Sequence, residues 1–278
     1  MTGRIPTGTN AQKEGKGDMK LSIDSYVICT DWTLDKIIEV CRSAGYAGVE
    51  FRAESEQKHG VELEATPAQR REIRRKLEDG YLEASCISTS QCMSYQEKAT
   101  LRANIDRAKR YVDLAADIDC LGIRVFGDGD RIAPEADARD AMCRAGDALR
   151  EVAEHARDTV VTVLFEMHGQ FNLWKYALGA VDQANHPNAA LNYNCDPRDL
   201  VAGSVRETYS RIRGRFEHVH MHDLEDQRFP YLELFRLLQQ DEYEGYCSLE
   251  VNYEGGDPEK VMSLYGALWR TQVALSLK

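Results

Sequence analysis

No apolar run in the 278 residues approaches the roughly 20 that a membrane span requires. The opening stretch, MTGRIPTGTNAQKEGKGDMK, has no apolar core and so excludes a secretory signal there. Its glycine, threonine, lysine and asparagine content reads as a flexible leader over residues 1–18. Cations are also short: 35 Lys and Arg stand against 46 Asp and Glu, a net charge of −11. That balance opposes nucleic-acid binding, which needs a basic face to meet phosphates. The eight cysteines form no C-x-x-C pair, so they read as reduced thiols of a cytoplasmic protein rather than a disulfide framework. Glycine is missing from SYVICTDWT, where a dinucleotide-binding fold would place G-x-G-x-x-G after the first strand. No P-loop, zinc knuckle or internal repeat replaces it.

What is present is an alternation of short apolar and long amphipathic segments. The expected strands are residues 20–28, 48–52, 82–88, 120–127, 160–168, 190–196, 216–222 and 246–252. Six helical patterns stand out between and after them. TLDKIIEVCRSAG carries Thr33 and Asp35 at capping positions and ends on Gly45. TPAQRREIRRKLEDG places Pro67 in the first turn and Gly80 at the end. The others begin near Tyr95, Glu135, Tyr231 and Asp257. Eight strands alternating with about eight helices predict an α/β chain folded as a single-domain (β/α)8 TIM barrel over residues 19–278.

A parallel strand covered on both faces should be apolar throughout. The last four expected strands break that rule near their carboxyl ends. LFEMHG sets Glu166 and His168 on one face, and LNYNCDP sets Asn192, Asn194 and Asp196 on one face. EHVHMHD places three of the seven histidines, His218, His220 and His222, on one face, and CSLEVN adds Ser248, Glu250 and Asn252. In a barrel these ends converge on one mouth, where catalytic groups of the fold sit. Buried carboxylates and imidazoles cost several kcal/mol unless paired or bound to metal. A divalent cation satisfies such a set most simply. One ion cannot take all three histidines, because same-face neighbours on a strand are about 6.6 Å apart and metal–nitrogen bonds only about 2.1 Å. Each residue also has a plainer reading: a strand histidine can be a satisfied core group, and Asp196 before Pro197 a turn residue.

These residues resemble the xylose isomerase-like TIM-barrel superfamily, the sugar phosphate isomerase/epimerase group. VLFEMHG is similar to its first ligand strand, NCDPRDL to its D-x-x-H or D-x-x-N segment, HVHMHD to its H-x-H-x-K-D strand, and YEGYCSLEV to its closing glutamate strand. The resemblance implies metal ligands Glu166, Asp196, His220 and Glu250, with Glu166 and Glu250 catalytic. Asp199 stands where many relatives carry a substrate-touching histidine or asparagine, and His222 where many carry lysine. His168, Arg124 and Glu50 are further candidates for substrate contact. An oxygen-rich set with one nitrogen suits Mn2+ best, with Mg2+, Co2+ or Zn2+ as substitutes.

The activity so implied is isomerisation or epimerisation of a ketose or related keto-polyol through an enediolate, by proton transfer at carbon. Dehydration of an inosose or dehydroshikimate-like cyclic keto-polyol would use the same enolate and stands as the alternative. An endonuclease IV-like phosphodiesterase needs more histidines at the mouth, and a non-catalytic subunit would not need a complete ligand set. The partner expected is a small sugar or cyclic polyol, with no membrane; a homo-oligomer is compatible. The loops DLEDQRFP and YEGGDPEK after strands seven and eight are dominated by acids, which favours an unphosphorylated substrate.

Overall fold

Period-two alternation dictates how each strand divides its side chains. In the computed structural model, which describes residues 19–130 and 135–277, eight parallel strands close into a barrel in sequence order. They are β1 (Lys20–Asp24), β2 (Gly48–Arg52), β3 (Glu83–Cys92), β4 (Gly122–Phe126), β5 (Thr162–Glu166), β6 (Ala189–Asn194), β7 (Phe216–Met221) and β8 (Tyr246–Leu249). Pairing of β1 with β8 completes the ring. The expected leader lies outside the described residues.

The helices are α1 (Leu34–Ala44), α2 (Pro67–Gly80), α3 (Lys98–Asp117), α4 (Glu135–His155), α5 (Trp174–Ala184), α6 (Arg206–Ile212), α7 (Tyr231–Gln240) and α8 (Pro258–Ser276). Thr33 caps α1 and Gly45 ends it in the left-handed conformation, as the sequence predicts. In α2 the Thr66–Gln69 pair forms a capping box. The end of α2 differs from expectation: Gly80 is its last helical residue, and Tyr81, at φ 52°, takes the left-handed position. Gly80 is needed for packing instead, since a Cβ there would lie 2.5 Å from Ile38 Cγ2 on α1. Little in the residue pattern marks α5 and α6. α5 has no side-chain cap and α6 is a seven-residue helix.

Register shows which residues share a face. Asp24 pairs with Glu50, Ser88 with Arg124, Glu166 with Asn192, Asn192 with His218, Asn194 with His220, and His220 with Ser248. Glu50 on β2 touches His218 and His220 on β7. Those strands are not neighbours, so the contact crosses the barrel axis and this polar face is the inner one. Alternate residues such as Ile23, Phe51, Val125, Phe165, Val219 and Met221 face outward and join one continuous apolar core. Inside the barrel, Cys86, Leu164 and Ala190 make a separate small apolar cluster.

One glycine sets how tightly the end of β5 is supported. A Cβ at Gly127 would come within 2.6 Å of Phe171 Cγ and 2.7 Å of Phe165 Cζ, two rings in edge-to-face contact. Gly127→Ala is therefore expected to overpack this layer and lower stability by about 1–3 kcal/mol, read as a lower urea midpoint. An unchanged midpoint would show that the aromatic pair yields freely.

Candidate metal centre

The inner polar face concentrates acid. Asp24, Glu166 and Glu250 stand at or just beyond the carboxyl ends of β1, β5 and β8, with Glu50 from the middle of β2 and Arg124 from the middle of β4 among them. Four carboxylates facing one guanidinium is a surplus of negative charge that a buried site must neutralise. Glu166, His220 and Glu250 each offer a ligand atom, and these atoms lie within 4.8 Å of one another. His220 Nδ1 is 3.1 Å from Glu166 Oε1 and 4.0 Å from Glu250 Oε2. Its other nitrogen, Nε2, is 2.8 and 2.9 Å from the two oxygens of Glu50.

Glu166 is almost wholly buried and surrounded by donors. Asn194 Nδ2 donates to Oε1 over 3.2 Å. Oε2 lies 3.1 Å from Arg124 Nε, an ion pair whose angle leaves both atoms without a formed hydrogen bond. Burial pulls the Glu166 carboxyl upward, but Arg124 and His220 outweigh it and hold its pKa down at about 2. Burial likewise disfavours a charged His220, yet Glu50 and Glu166 raise its pKa well above the ordinary value. Asp24 is the opposite case: burial and then Glu50 and Glu250 push its carboxyl well up. Its Oδ1 accepts the Tyr26 N–H over 2.8 Å, while Oδ2 is buried without a partner.

Other expected residues take varied places. Arg124 is closed to solvent, donates from Nη1 to the Thr89 carbonyl over 2.8 Å, and lies 3.9 Å from the Phe126 ring centroid. Glu50 is fully buried, and the two adjoin the cluster from different sides, Arg124 at Glu166 and Glu50 at His220. His222 reaches Asn194 Oδ1 over 2.8 Å and lies 3.9 Å from Glu250 Oε2. His168, about half exposed at 49%, pairs through Nδ1 with Asp128, which raises its pKa.

Asp196 differs from expectation. β6 ends at Asn194, and Asp196 caps the turn over Pro197–Asp199, accepting the Arg198 N–H over 2.8 Å and the Arg198 guanidinium over 2.6 Å. Arg198 holds its carboxyl below the usual range against the pull of burial. Asn194, one inward position earlier, holds Glu166 in its stead.

Asp199 is buried, accepts from Asn172 Nδ2 over 2.9 Å, and leaves Oδ2 without a partner. Burial and then Asp196 lift its pKa from 3.8 to about 7. The folded chain therefore binds this proton more tightly than the unfolded one, so stability falls as pH rises from about 4 to 7. The resulting penalty, at most about 4 kcal/mol, is complete above pH 7 and absent below pH 4. Asp199→Asn removes it. Relative to the unsubstituted protein, the variant is expected to be more stable at pH 8 than at pH 5 in urea unfolding. An equal difference at both pH values would contradict the assignment.

Sequence reasoning missed Asp24 and Ser88, whose hydroxyl donates to Glu50. The signal existed for Asp24, a charged residue at the carboxyl end of an apolar strand. The donor set fits a divalent cation: hard carboxylate oxygens, one imidazole nitrogen facing two of them, and a Glu166 oxygen that meets Arg124 without a formed hydrogen bond. Among the described residues no helix is long and apolar enough to cross a membrane. All eight cysteines are unpaired.

The profile of the xylose isomerase-like TIM barrel family matches residues 38–269. No curated protein matches the sequence. Among solved structures, L-ribulose 3-epimerase is similar at 17% identity and a TM-score of 0.78, over 93% of this chain and 96% of its own. The 3-keto-D-glucoside 4-epimerase of E. coli is similar at 14% identity and 0.76, over 91% of this chain and 100% of its own. A D-psicose 3-epimerase solved in the presence of D-fructose gives 16% and 0.71, over 93% and 97%. At such identities the likeness is one of fold.

Proposed function

The chain belongs to the xylose isomerase-like TIM barrel family, and on that premise we propose that it is a metal-dependent sugar epimerase or isomerase. The substrate class is a ketose or related keto-polyol, and the chemistry is proton transfer at carbon. The observation that carries this reading is the convergence of Glu166, His220 and Glu250 from three strands on one point of the mouth. The fold it shares with L-ribulose and D-psicose 3-epimerases supports it. When bound there, Mn2+ or a similar cation supplies positive charge against the negative charge that develops as a C–H proton leaves.

The two glutamates are not equivalent. Glu166 is buried, paired with Arg124 and held strongly ionised, which makes it a firm ligand and a weak base. Glu250 lies beyond the end of β8, with 27% of its side chain accessible. It is the carboxylate a substrate can reach, and the one we assign to move the proton. His222 lies close to Glu250 on the same side of the mouth and is placed to bind a substrate hydroxyl. Asp196 would join the ligand set only by giving up Arg198.

A second reading rests on His168. Its half-exposed imidazole, paired with Asp128, could protonate a leaving hydroxyl and turn the same proton abstraction into dehydration. The test is incubation of the Mn2+-loaded chain in D2O with ketoses, inososes and dehydroshikimate. Deuterium at carbon with retained hydroxyls supports epimerisation, loss of water supports the lyase, and no exchange with any of them contradicts both.

A further inference from the structure

His220 is gripped through both ring nitrogens, and the two grips differ. On one side Nε2 meets Glu50, whose two oxygens lie 2.8 and 2.9 Å away. On the other, Nδ1 faces Glu166 and Glu250 at 3.1 and 4.0 Å. Glu50 has no exposure at all and takes two more contacts, from His218 Nε2 over 2.9 Å and from the Ser88 hydroxyl. A carboxylate only accepts hydrogen bonds, so each group around Glu50 must present a proton to it. His220 therefore carries hydrogen on Nε2. Nδ1 likewise donates to Glu166 Oε1 over 3.1 Å, so without an ion the ring carries both protons, and the one on Nδ1, which faces the two mouth carboxylates, is the one a cation held by them would displace.

We infer that Glu50 is the positioning residue of the metal centre, fixing His220 in the Nε2–H tautomer so that Nδ1 is its ligating atom, while His218 and Ser88 hold Glu50 in turn. The inference rests on the reading of Glu166, His220 and Glu250 as the cation site, and deepens it. A carboxylate behind a ligating imidazole sets the ring's orientation and raises its basicity, so its influence reaches the cation without contact. Glu50, His218 and His220 also have donor atoms close enough to hold an ion of their own. Their contacts at 2.8–2.9 Å are hydrogen-bond lengths, however, and both Glu50 oxygens are already occupied.

Two measurements on the full chain test this. In the Zn2+-loaded protein labelled with 15N-histidine, long-range 1H–15N spectra should show the His220 ring, assigned by comparison with His220→Asn, protonated on Nε2 and bound through Nδ1. In Glu50→Gln, Mn2+ affinity read by the electron paramagnetic resonance signal of free Mn2+ should fall about 10- to 100-fold. Zinc bound through Nε2, or unchanged affinity in a folded Glu50→Gln, overturns the positioning role and leaves the cation site intact. Two ions per chain, one of them lost in Glu50→Gln, would make Glu50 a ligand and overturn it likewise. An unsubstituted chain that binds no ion overturns both readings. The tautomer measurement needs no substitution at Glu50, so it decides even where that variant fails to fold.

Discussion

Glu250→Gln is expected to lower deuterium exchange at the substrate carbon by about a thousandfold or more while the fold persists. Glutamine keeps the size and a carbonyl oxygen, but it cannot take a proton at neutral pH. Loss of a positioned acid–base group costs 10²–10⁴-fold, and the weaker ligand adds to that. Persistence of the fold follows from the site, because Glu250 lies outside β8 and over a quarter of its side chain is accessible at 27%. No buried group depends on it alone. Glu166→Gln should behave differently. Arg124 would lose the carboxylate it pairs with, so stability should fall together with exchange. Exchange that continues at full rate in folded Glu250→Gln would remove this residue from the proton path and move attention to His168.

His220→Asn is expected to be the most damaging single change. It should abolish Mn2+ binding and lower stability by about 3–5 kcal/mol in urea unfolding. The imidazole is the cation between two buried carboxylates, Glu50 and Glu166. Removing one partner of a buried ionic group leaves the others uncompensated, at a cost of about that size. The cost should shrink when Glu50→Gln is added, because the orphaned charge then disappears as well. If the double variant is as unstable as the sum of the single ones, the Glu50–His220 contact contributes no coupling.

Much of this site was legible in the sequence. Polar residues at the ends of apolar strands pointed to one mouth, and the sequence placed Glu166, His220 and Glu250 together there. Metal–ligand lengths led the sequence reading to expect separate places for the three alternating histidines, and their partners do differ. Their division could not be read: His218 meets Glu50, His220 meets both Glu50 and Glu166, and His222 reaches Asn194. That depends on what stands across the barrel, and spacing along one strand carries no such information. Burial was equally hidden. Glu50 and Arg124 read equally as substrate contacts or as structural pairs, and in the fold Glu50 meets the His220 imidazole and Arg124 the Glu166 carboxylate. For Asp196 the plainer sequence reading, a turn residue before proline, matches its place as the cap of Pro197–Asp199. The expected strands at 20–28 and 246–252 were too long because their last residues leave the ladder to line the loops around the mouth.

The most direct measurement is anomalous diffraction from crystals of the Mn2+-loaded chain. A single strong peak is expected at the mouth, within about 2.0–2.3 Å of a carboxylate oxygen from Glu166, a carboxylate oxygen from Glu250, and Nδ1 of His220. A peak held elsewhere, or none at saturating Mn2+, would contradict it.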